Sequence, residues 1–553
     1  MSDHTTETDT PPDSGQAAQP SFTWKAGLII LGLGIVAESL VWFVIASDRT
    51  YQVMFSMPVL SATALAMTLW WTFYSQLSWP ARLGGIGLVV AGLVGFRSQY
   101  RFDGFDGAMF PRFSSRSEPT REEQLDEFLA NTLAAAERPQ QEPSNAATDG
   151  VDQPPVEPET PDRLVISEGD WPQYRGSHRD GVIRSGRTDF DWTATPTELW
   201  RHPVGAGWSS FAVADGRAWT QEQRGDRECV VCYDVETGQQ IWEHADQVRF
   251  EEAMGGVGPR ATPTVHDSRV YTVGATGQLN CLDALTGAAH WSTNILDDAN
   301  VGNLEWAMSA SPLIYDDLVI VVPGGSGGVA AYDRISGEKS WSDGQHQTSY
   351  AAPILATLNG VEQLLWFHGD GLSGHALNGG RELWNFEFSN QPKVNAAEPI
   401  PVDGATVVIG SGYTLGAASL KIIRDGDGES AAWSVETNWT ENRRFKLKFN
   451  APVRLGDYAY GLDEGILECI DLRDGKVQWK RGRYGYGQLL LAGETIIVQT
   501  EGGGVAFVHA TPERFEELHQ FDAMSATTWN HPVLWNDLLL IRNPEEAVCF
   551  RMQ

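Results

Sequence analysis

Hydrophobic residues follow two different rhythms along this 553-residue chain. Up to about residue 97 they come in long unbroken runs. Ala26–Ala46 contains one charge, Glu38, and Val53–Tyr74 contains none. Each is long enough to cross a hydrocarbon core of about 30 Å. A third run, Leu83–Phe96, is shorter and reaches spanning length as residues 80–97, with Arg82 snorkelling to the interface. Trp24, Trp42, Trp70, Trp71 and Trp79 flank or end these runs, as interfacial aromatic belts do. The pattern predicts an α-helical transmembrane segment over residues 23–97. Beyond residue 171 the apolar runs shrink to strand length, and they repeat.

Four segments of the repeat align closely: Cys232-Tyr-Asp234-Val-Glu-Thr-Gly238-Gln-Gln-Ile-Trp242, Cys281-Leu-Asp283-Ala-Leu-Thr-Gly287-Ala-Ala-His-Trp291, Ala331-Tyr-Asp333-Arg-Ile-Ser-Gly337-Glu-Lys-Ser-Trp341 and Cys469-Ile-Asp471-Leu-Arg-Asp-Gly475-Lys-Val-Gln-Trp479. A fifth, ending Gly380-Arg-Glu-Leu-Trp384, keeps the frame without the Asp. The residues before Asp form a strand. Asp-x-x-Thr-Gly is a tight turn, because Asp can bond nearby backbone amides and Gly supplies a positive φ. The next strand ends in Trp, whose broad face needs a flat partner. Trp433 closes a degenerate copy in this reading, and Phe515 and Leu518 lie near the place of another Trp.

A second marker recurs upstream of each copy: Pro263, Pro312, Pro353, Pro399, Pro452 and Pro532. Proline is tolerated at the first residue of a strand. The interval from Pro263 to Pro532 holds six units of about 45 residues, a propeller-blade length. A hairpin of this kind cannot bury both faces alone, but a ring of them can. The last unit, which begins at Trp529, lacks a strand, and Glu198-Leu-Trp200-Arg supplies it. The expected fold is therefore all-β: an eight-bladed β-propeller over residues 171–553, closed by its N-terminal strand and preceded by the transmembrane helices.

Charge refines this plan. The formal net charge is −32, but residues 1–22 carry −4, residues 23–116 carry +3, residues 117–170 carry −11 and the propeller −20. The acidic balance excludes nucleic acid as a partner, since phosphate recognition needs concentrated Lys and Arg. Residues 1–22 are expected to be a disordered tail and 98–170 an acidic, Pro-rich linker. Within the linker, Thr120 and Glu123 fit a capping box, with Leu125, Phe128, Leu129 and Leu133 at helical spacing. A short helix over 120–135 is expected, packed on the membrane surface or on a partner. The leading residues are acidic and a second hydrophobic run follows at once, unlike a cleaved signal peptide. Arg97, Arg101, Arg112 and Arg116 after the last span favour a cytoplasmic propeller by the positive-inside rule.

Most motif-like features read as architecture. Cys229 and Cys232 lie three apart on a strand and so face opposite ways, while Cys232, Cys281, Cys469 and Cys549 share one repeat position. They are expected to pack rather than to bind metal or cycle redox state. Asp425-Gly-Asp427-Gly428-Glu429 lacks the calcium-loop pattern, and Gly324–Gly328 lacks the Lys-Ser/Thr ending of a phosphate loop. Both read as turns, and no metal site is expected. Glu38 marks a functional site by default. No acid, base or ion motif accompanies it in the other spans, so a helix–helix hydrogen bond or a position near a thinned bilayer edge is expected.

Candidate binding residues lie between one blade's Trp and the next blade's Pro, where a propeller chain reaches the channel mouth. They are Arg260, Asn303, Trp306, Lys393, Asn395, Lys446, Lys448, Asn450, Arg483, Tyr484, Trp529 and Asn530, together with Tyr350. Several basic residues converging in an acidic domain suit an anionic or polar ligand. Only Glu305 and His346 are natural acid/base candidates, and no nucleophile–base–orienter spacing accompanies them.

The Asp-x-x-Thr-Gly-x-x-x-Trp repeat resembles the PQQ-like, or quinoprotein-type, β-propeller family. The opening Trp171-Pro-Gln-Tyr-Arg-Gly176-Ser-His-Arg-Asp180-Gly181 resembles the lead-in of BamB-like repeat proteins, in the membrane-anchored form known from planctomycete-type bacteria. The resemblance implies one of two roles. Quinoprotein dehydrogenases hold PQQ and Ca²⁺ in the propeller channel and oxidise alcohols or sugars; BamB-like members bind no cofactor and act as scaffolds. The chain has no adjacent Cys pair on which PQQ would stack, no Cys-x-x-Cys-His for haem, and no cysteine near the N-terminus for lipidation. The expectation is a non-catalytic scaffold at the cell envelope, with a protein partner and no cofactor. The alternative is a divergent quinoprotein using PQQ and calcium. The resemblance places the propeller on the periplasmic side of the inner membrane, against the Arg count.

Overall fold

Long apolar runs and short repeated ones separate into two units in the computed structural model, which describes residues 24–46, 49–136 and 163–553. The tail 1–22 and the tether from 140 to 162 lie outside the described residues. The units are 1–102 with 113–117, and 103–112 with 118–553.

Among the described residues, the first unit holds three helices of spanning length and hydropathy, Lys25–Ile45, Tyr51–Tyr74 and Trp79–Gln99. Leu28, Leu33, Phe43, Leu65 and Leu88 are exposed on their surfaces, as side chains that face lipid would be. Small residues bring the first two helices together: a Cβ on Gly27 would lie 2.8 Å from Trp70, and one on Gly34 2.7 Å from Thr63. Trp42 Nε1 donates to Glu38 Oε1 and to Ser56 Oγ, each at 2.9 Å. Glu38 thus joins a hydrogen-bonded contact between two helices. The strands Tyr100–Phe105 and Pro111–Ser115 form a ribbon whose tip belongs to the second unit.

The second unit is an eight-bladed propeller. Blades one to seven span residues 212–246, 264–294, 313–343, 354–387, 400–441, 453–483 and 488–522. Blade eight takes three strands from 533–551, and its outer strand is Thr197–Pro203 from the start of the ring. This closure removes the exposed sheet edge between the ends of the chain. The six marker prolines each immediately precede an inner strand. Inner strands are buried on both faces, which is why Gln488–Ala492 reads as nearly continuous apolar sequence.

The outer belt follows directly from the repeat. In each blade the residue two before the Asp position pairs across the sheet with the closing aromatic, as Cys281 does with Trp291, and the register slips just beyond it. Each indole then lies over the turn glycine of the next blade: Trp200 on Gly238, Trp242 on Gly287, Trp291 on Gly337 and Trp341 on Gly380. Its Nε1 donates to the carbonyl one residue past the next Asp, Trp242 to Ala284 at 3.0 Å and Trp291 to Arg334 at 3.2 Å. A side chain larger than hydrogen has no room there, and Gly287 holds φ +73. Asp234, Asp283 and Asp333 accept from the backbone amide three residues on. Trp479 donates to Thr511 O at 2.8 Å, and Trp384 turns to Gln363 of its own blade at 2.7 Å.

Two closing residues differ from the sequence reading. In blade five Trp439, not Trp433, pairs with the small residue, Ser419, and covers Gly475. Blade five lacks the Asp-Gly turn, so its hairpin runs on through Gly416–Asp425 and Ala432–Glu441 and leaves Trp433 near the tip, under Arg424. In blade seven His519 holds the Trp position opposite Phe507. The cysteines are buried and free. Cys229 and Cys232 lie in different hydrophobic clusters, on opposite faces of one strand.

The predicted short helix runs from Arg121 to Ala136, and its capping box is formed: Thr120 N donates to Glu123 Oε2 at 2.6 Å and Glu123 N to Thr120 Oγ1 at 3.1 Å. It packs on its own propeller rather than on a foreign surface. Leu125 is buried, the Phe128 ring stacks on His202, and Arg121 pairs with Glu545.

Candidate functional site in the propeller channel

Strands in a blade alternate direction, so the loops that link blades and the loops between second and third strands open on one face. The candidate residues from the sequence lie on that face. From within, the channel is occupied by the chain's own lead-in. Trp171 exchanges two backbone hydrogen bonds with Val213 of blade one, at 2.8 and 2.7 Å. Val182–Ile183 pairs in parallel with Leu491–Ala492 of blade seven.

Between these anchors two arginines reach the starts of the blades. Arg179 donates to the carbonyls of Ser311 at 3.0 Å, Pro312 at 2.9 Å and Pro353 at 2.8 Å. Arg175 donates to Pro452 O at 2.5 Å and Asp180 O at 2.7 Å. The carbonyls need donors in a buried wall, and one guanidinium supplies several. Tyr174 bridges His531 Nε2, 3.0 Å away, and Glu398 Oε2, 3.4 Å away. Arg175 lies 3.6 Å from the same carboxylate.

Burial governs the protonation of this cluster. It raises the Glu398 carboxyl against the pull of Arg175. It raises the Tyr174 hydroxyl, with Glu398 adding to the effect. It lowers His531, helped by Arg175, and lowers Arg179 to about 10. Tyr174 therefore stays protonated and His531 neutral near pH 7. The sequence reading passed over this cluster, yet a signal was present. Of the residues before the six marker prolines, Thr262, Ser311, Ala352, Glu398, Ala451 and His531, only Glu398 and His531 are titratable, and both meet Tyr174.

At the mouth the predicted residues divide into three groups. The asparagines serve the wall: Asn395 donates to His368 O and Phe388 O, Asn450 exchanges hydrogen bonds with Leu462, and Asn530 donates to Gly207 O and Ser209 O. All three are buried. Arg260 is half-buried, its guanidinium over the Phe250 ring, and donates to Trp306 O at 3.1 Å, with desolvation lowering it to about 10. Trp306 lies against Tyr350. Glu305 and Arg483 are exposed, while Asn303 is exposed but donates to Ala275 O at 3.1 Å. Tyr484 is buried and donates to Glu517. Lys446 faces Asp463 and Glu464 at 3.8 and 3.4 Å.

The second group is aromatic. Lys448 is 1% exposed and points its ammonium at the rings of Tyr413, Phe449 and Tyr486, 4.9 to 5.2 Å from each centroid. Trp529 packs between Trp208 and Phe449 and donates to Glu501 Oε1 at 2.9 Å. The ribbon tip comes down on this cluster: Gly107 N donates to Glu501 Oε1 at 2.7 Å, so close to Tyr486 that a Cβ would lie 2.4 Å from the ring. The third group is histidine-rich. His346, from the loop before blade four, joins His368, Asp370 and Glu382 of that blade and Lys393 from the loop after it, a grouping the sequence did not disclose because the residues share no local motif.

These observations define a closed-ring repeat propeller with a self-filled channel. A family model described as "Outer membrane protein assembly factor BamB" matches residues 191–294 and 226–481. The matches together span more than half of the chain, and the chain belongs to this family of PQQ-like propellers. Among solved structures, quinohemoprotein alcohol dehydrogenase from Comamonas testosteroni aligns with a TM-score of 0.51 at 13% identity, over 69% of this chain and 80% of that one. BamB from Moraxella catarrhalis aligns with a TM-score of 0.47 at 18% identity, over 65% of this chain and 100% of that one. A search of curated proteins finds no match.

Proposed function

We propose that this protein is a non-catalytic scaffold, anchored in the inner membrane by its three helices, whose propeller binds a protein partner on the extracytoplasmic side. The observation that carries the reading is the lead-in segment inside the channel. A bound PQQ would need a flat slot and cations free to meet its carboxylates. Here Arg175 and Arg179 are committed to carbonyls of the wall, Tyr174 fills the space between Glu398 and His531, and Lys448 is enclosed by three rings. These residues do not suit the cofactor.

The family context supports export of the ring, and only four arginines after the last span oppose it. Reporter fusions after residue 165 test the side: phosphatase activity without cytoplasmic fluorescence is expected, and the reverse pattern overturns the topology. Partner binding is tested by crosslinking the intact protein in native membranes. A discrete envelope protein captured in stoichiometric amount is expected. Recovery of the uncrosslinked chain alone, at crosslinking efficiencies that trap known complexes, contradicts the scaffold.

A further inference from the structure

The histidine group at the mouth of blades three and four has the chemistry of a metal site. His346 comes from the loop between the blades, His368 ends the strand Val361–His368, and Asp370 follows in the turn. One ligand atom from each lies within 4.8 Å of the other two. Glu382 holds Nε2 of His346 at 2.7 Å, which leaves Nδ1 facing Asp370 Oδ2 at 3.9 Å. Lys393 holds the other oxygen, Oδ1, at 2.8 Å. The His368 ring lies parallel to His346 with centroids 3.9 Å apart, and its Nδ1 meets only the Asp370 amide, at 3.2 Å. His368 is fully buried and its Nε2 has no hydrogen-bond partner among the described residues.

We propose that His346, His368 and Asp370 bind one divalent ion of the zinc class, with a fourth position open to water. Two imidazoles and a carboxylate suit a borderline ion, whereas Ca²⁺ and Mg²⁺ prefer all-oxygen shells. The carboxylate behind His346 is the outer-shell arrangement that fixes a metal-binding imidazole. Zinc ligands at about 2.0–2.2 Å stand about 3.4 Å apart in a tetrahedron, so the three ligand atoms close inward by roughly an ångström and the two imidazoles, stacked here, turn out of parallel until the ion lies in the plane of each ring. An ion has a path in, because the side chains of His346 and Asp370 are 19% and 40% exposed.

The test uses the full-length protein in detergent, stripped with chelator. Titration with Co²⁺ is expected to give the visible absorption of a four-coordinate site at one ion per chain, reversed by Zn²⁺. Zn²⁺ should raise the thermal unfolding midpoint and Ca²⁺ should not. Glu382→Gln is expected to weaken Co²⁺ binding tenfold or more, and His346→Ala to abolish the signal while melting normally without metal. Absence of both the absorption and the Zn²⁺ shift overturns the proposal, as does unchanged affinity in His346→Ala, which would place the ion elsewhere.

Discussion

The outer belt and the channel wall of the propeller are built by the same repeat but spend their side chains differently. On the belt, equivalent positions keep equivalent residues: Trp200, Trp242, Trp291, Trp341 and Trp439 each cover a turn glycine of the next blade. On the wall, equivalent positions diverge, and the residue before the marker proline is Thr262, Ser311, Ala352, Glu398, Ala451 or His531. The belt solves one packing problem many times. The wall receives a single asymmetric segment, so each blade must offer it something different. Repetition therefore marks architecture, and departure from the repeat marks the places where the ring meets something else.

The largest effect should come from breaking the wall. Arg179→Ala leaves the Ser311, Pro312 and Pro353 carbonyls buried without donors and Glu398 with one cation fewer. It should cost about 3–5 kcal/mol, read as a lower midpoint in urea. A belt variant should cost somewhat less, and blade five sharpens the comparison. Trp439→Ala should destabilise by about 3 kcal/mol, whereas Trp433→Ala should cost under about 1 kcal/mol. Equal losses would contradict the assignment of Trp439 as the closing residue.

Buried histidines of the wall and of the blades should also make stability depend on pH. Burial holds His531, His202 and His375 below the ordinary histidine value. The folded state keeps them neutral, while the unfolded chain takes up protons below about pH 6.5. Stability is therefore complete above that pH and is lost as pH falls through it toward the folded values. Between pH 7 and pH 5 the histidine contribution should fall, while the buried carboxyls of Glu228, Glu398 and Glu468, raised by burial, act in the opposite sense, and His531→Asn should remove up to about 1.4 kcal/mol per pH unit of the histidine loss relative to the unsubstituted protein. Trp439→Ala should leave the slope unchanged. A small effect is also expected at a belt turn, where Asp333→Ala removes hydrogen bonds worth about 1 kcal/mol.

Legibility in the sequence followed the same division. The spacing of Asp, Gly and Trp disclosed the blade count, and the unpaired Glu198–Arg201 strand disclosed closure. Where the turn lost its Asp, the reading chose Trp433 over Trp439, because a longer hairpin shifts the closing residue without altering composition. The plug was harder to see. Tyr174, Arg175 and Arg179 meet partners more than a hundred residues away, and no local period reports such contacts. The same holds for His346, which lies 22 positions before His368 in the sequence. The mouth residues were found as a class, but the buried asparagines among them brace the loops.

The central claim, that the channel is filled by its own chain and holds no quinone, is tested most directly by calorimetric titration of the full-length protein in detergent with PQQ in the presence of Ca²⁺. The account predicts no saturable heat, and no rise in the unfolding midpoint at concentrations where a specific ligand would add several kcal/mol. Stoichiometric PQQ binding, weakened by Arg175→Ala or Lys448→Ala, would contradict it.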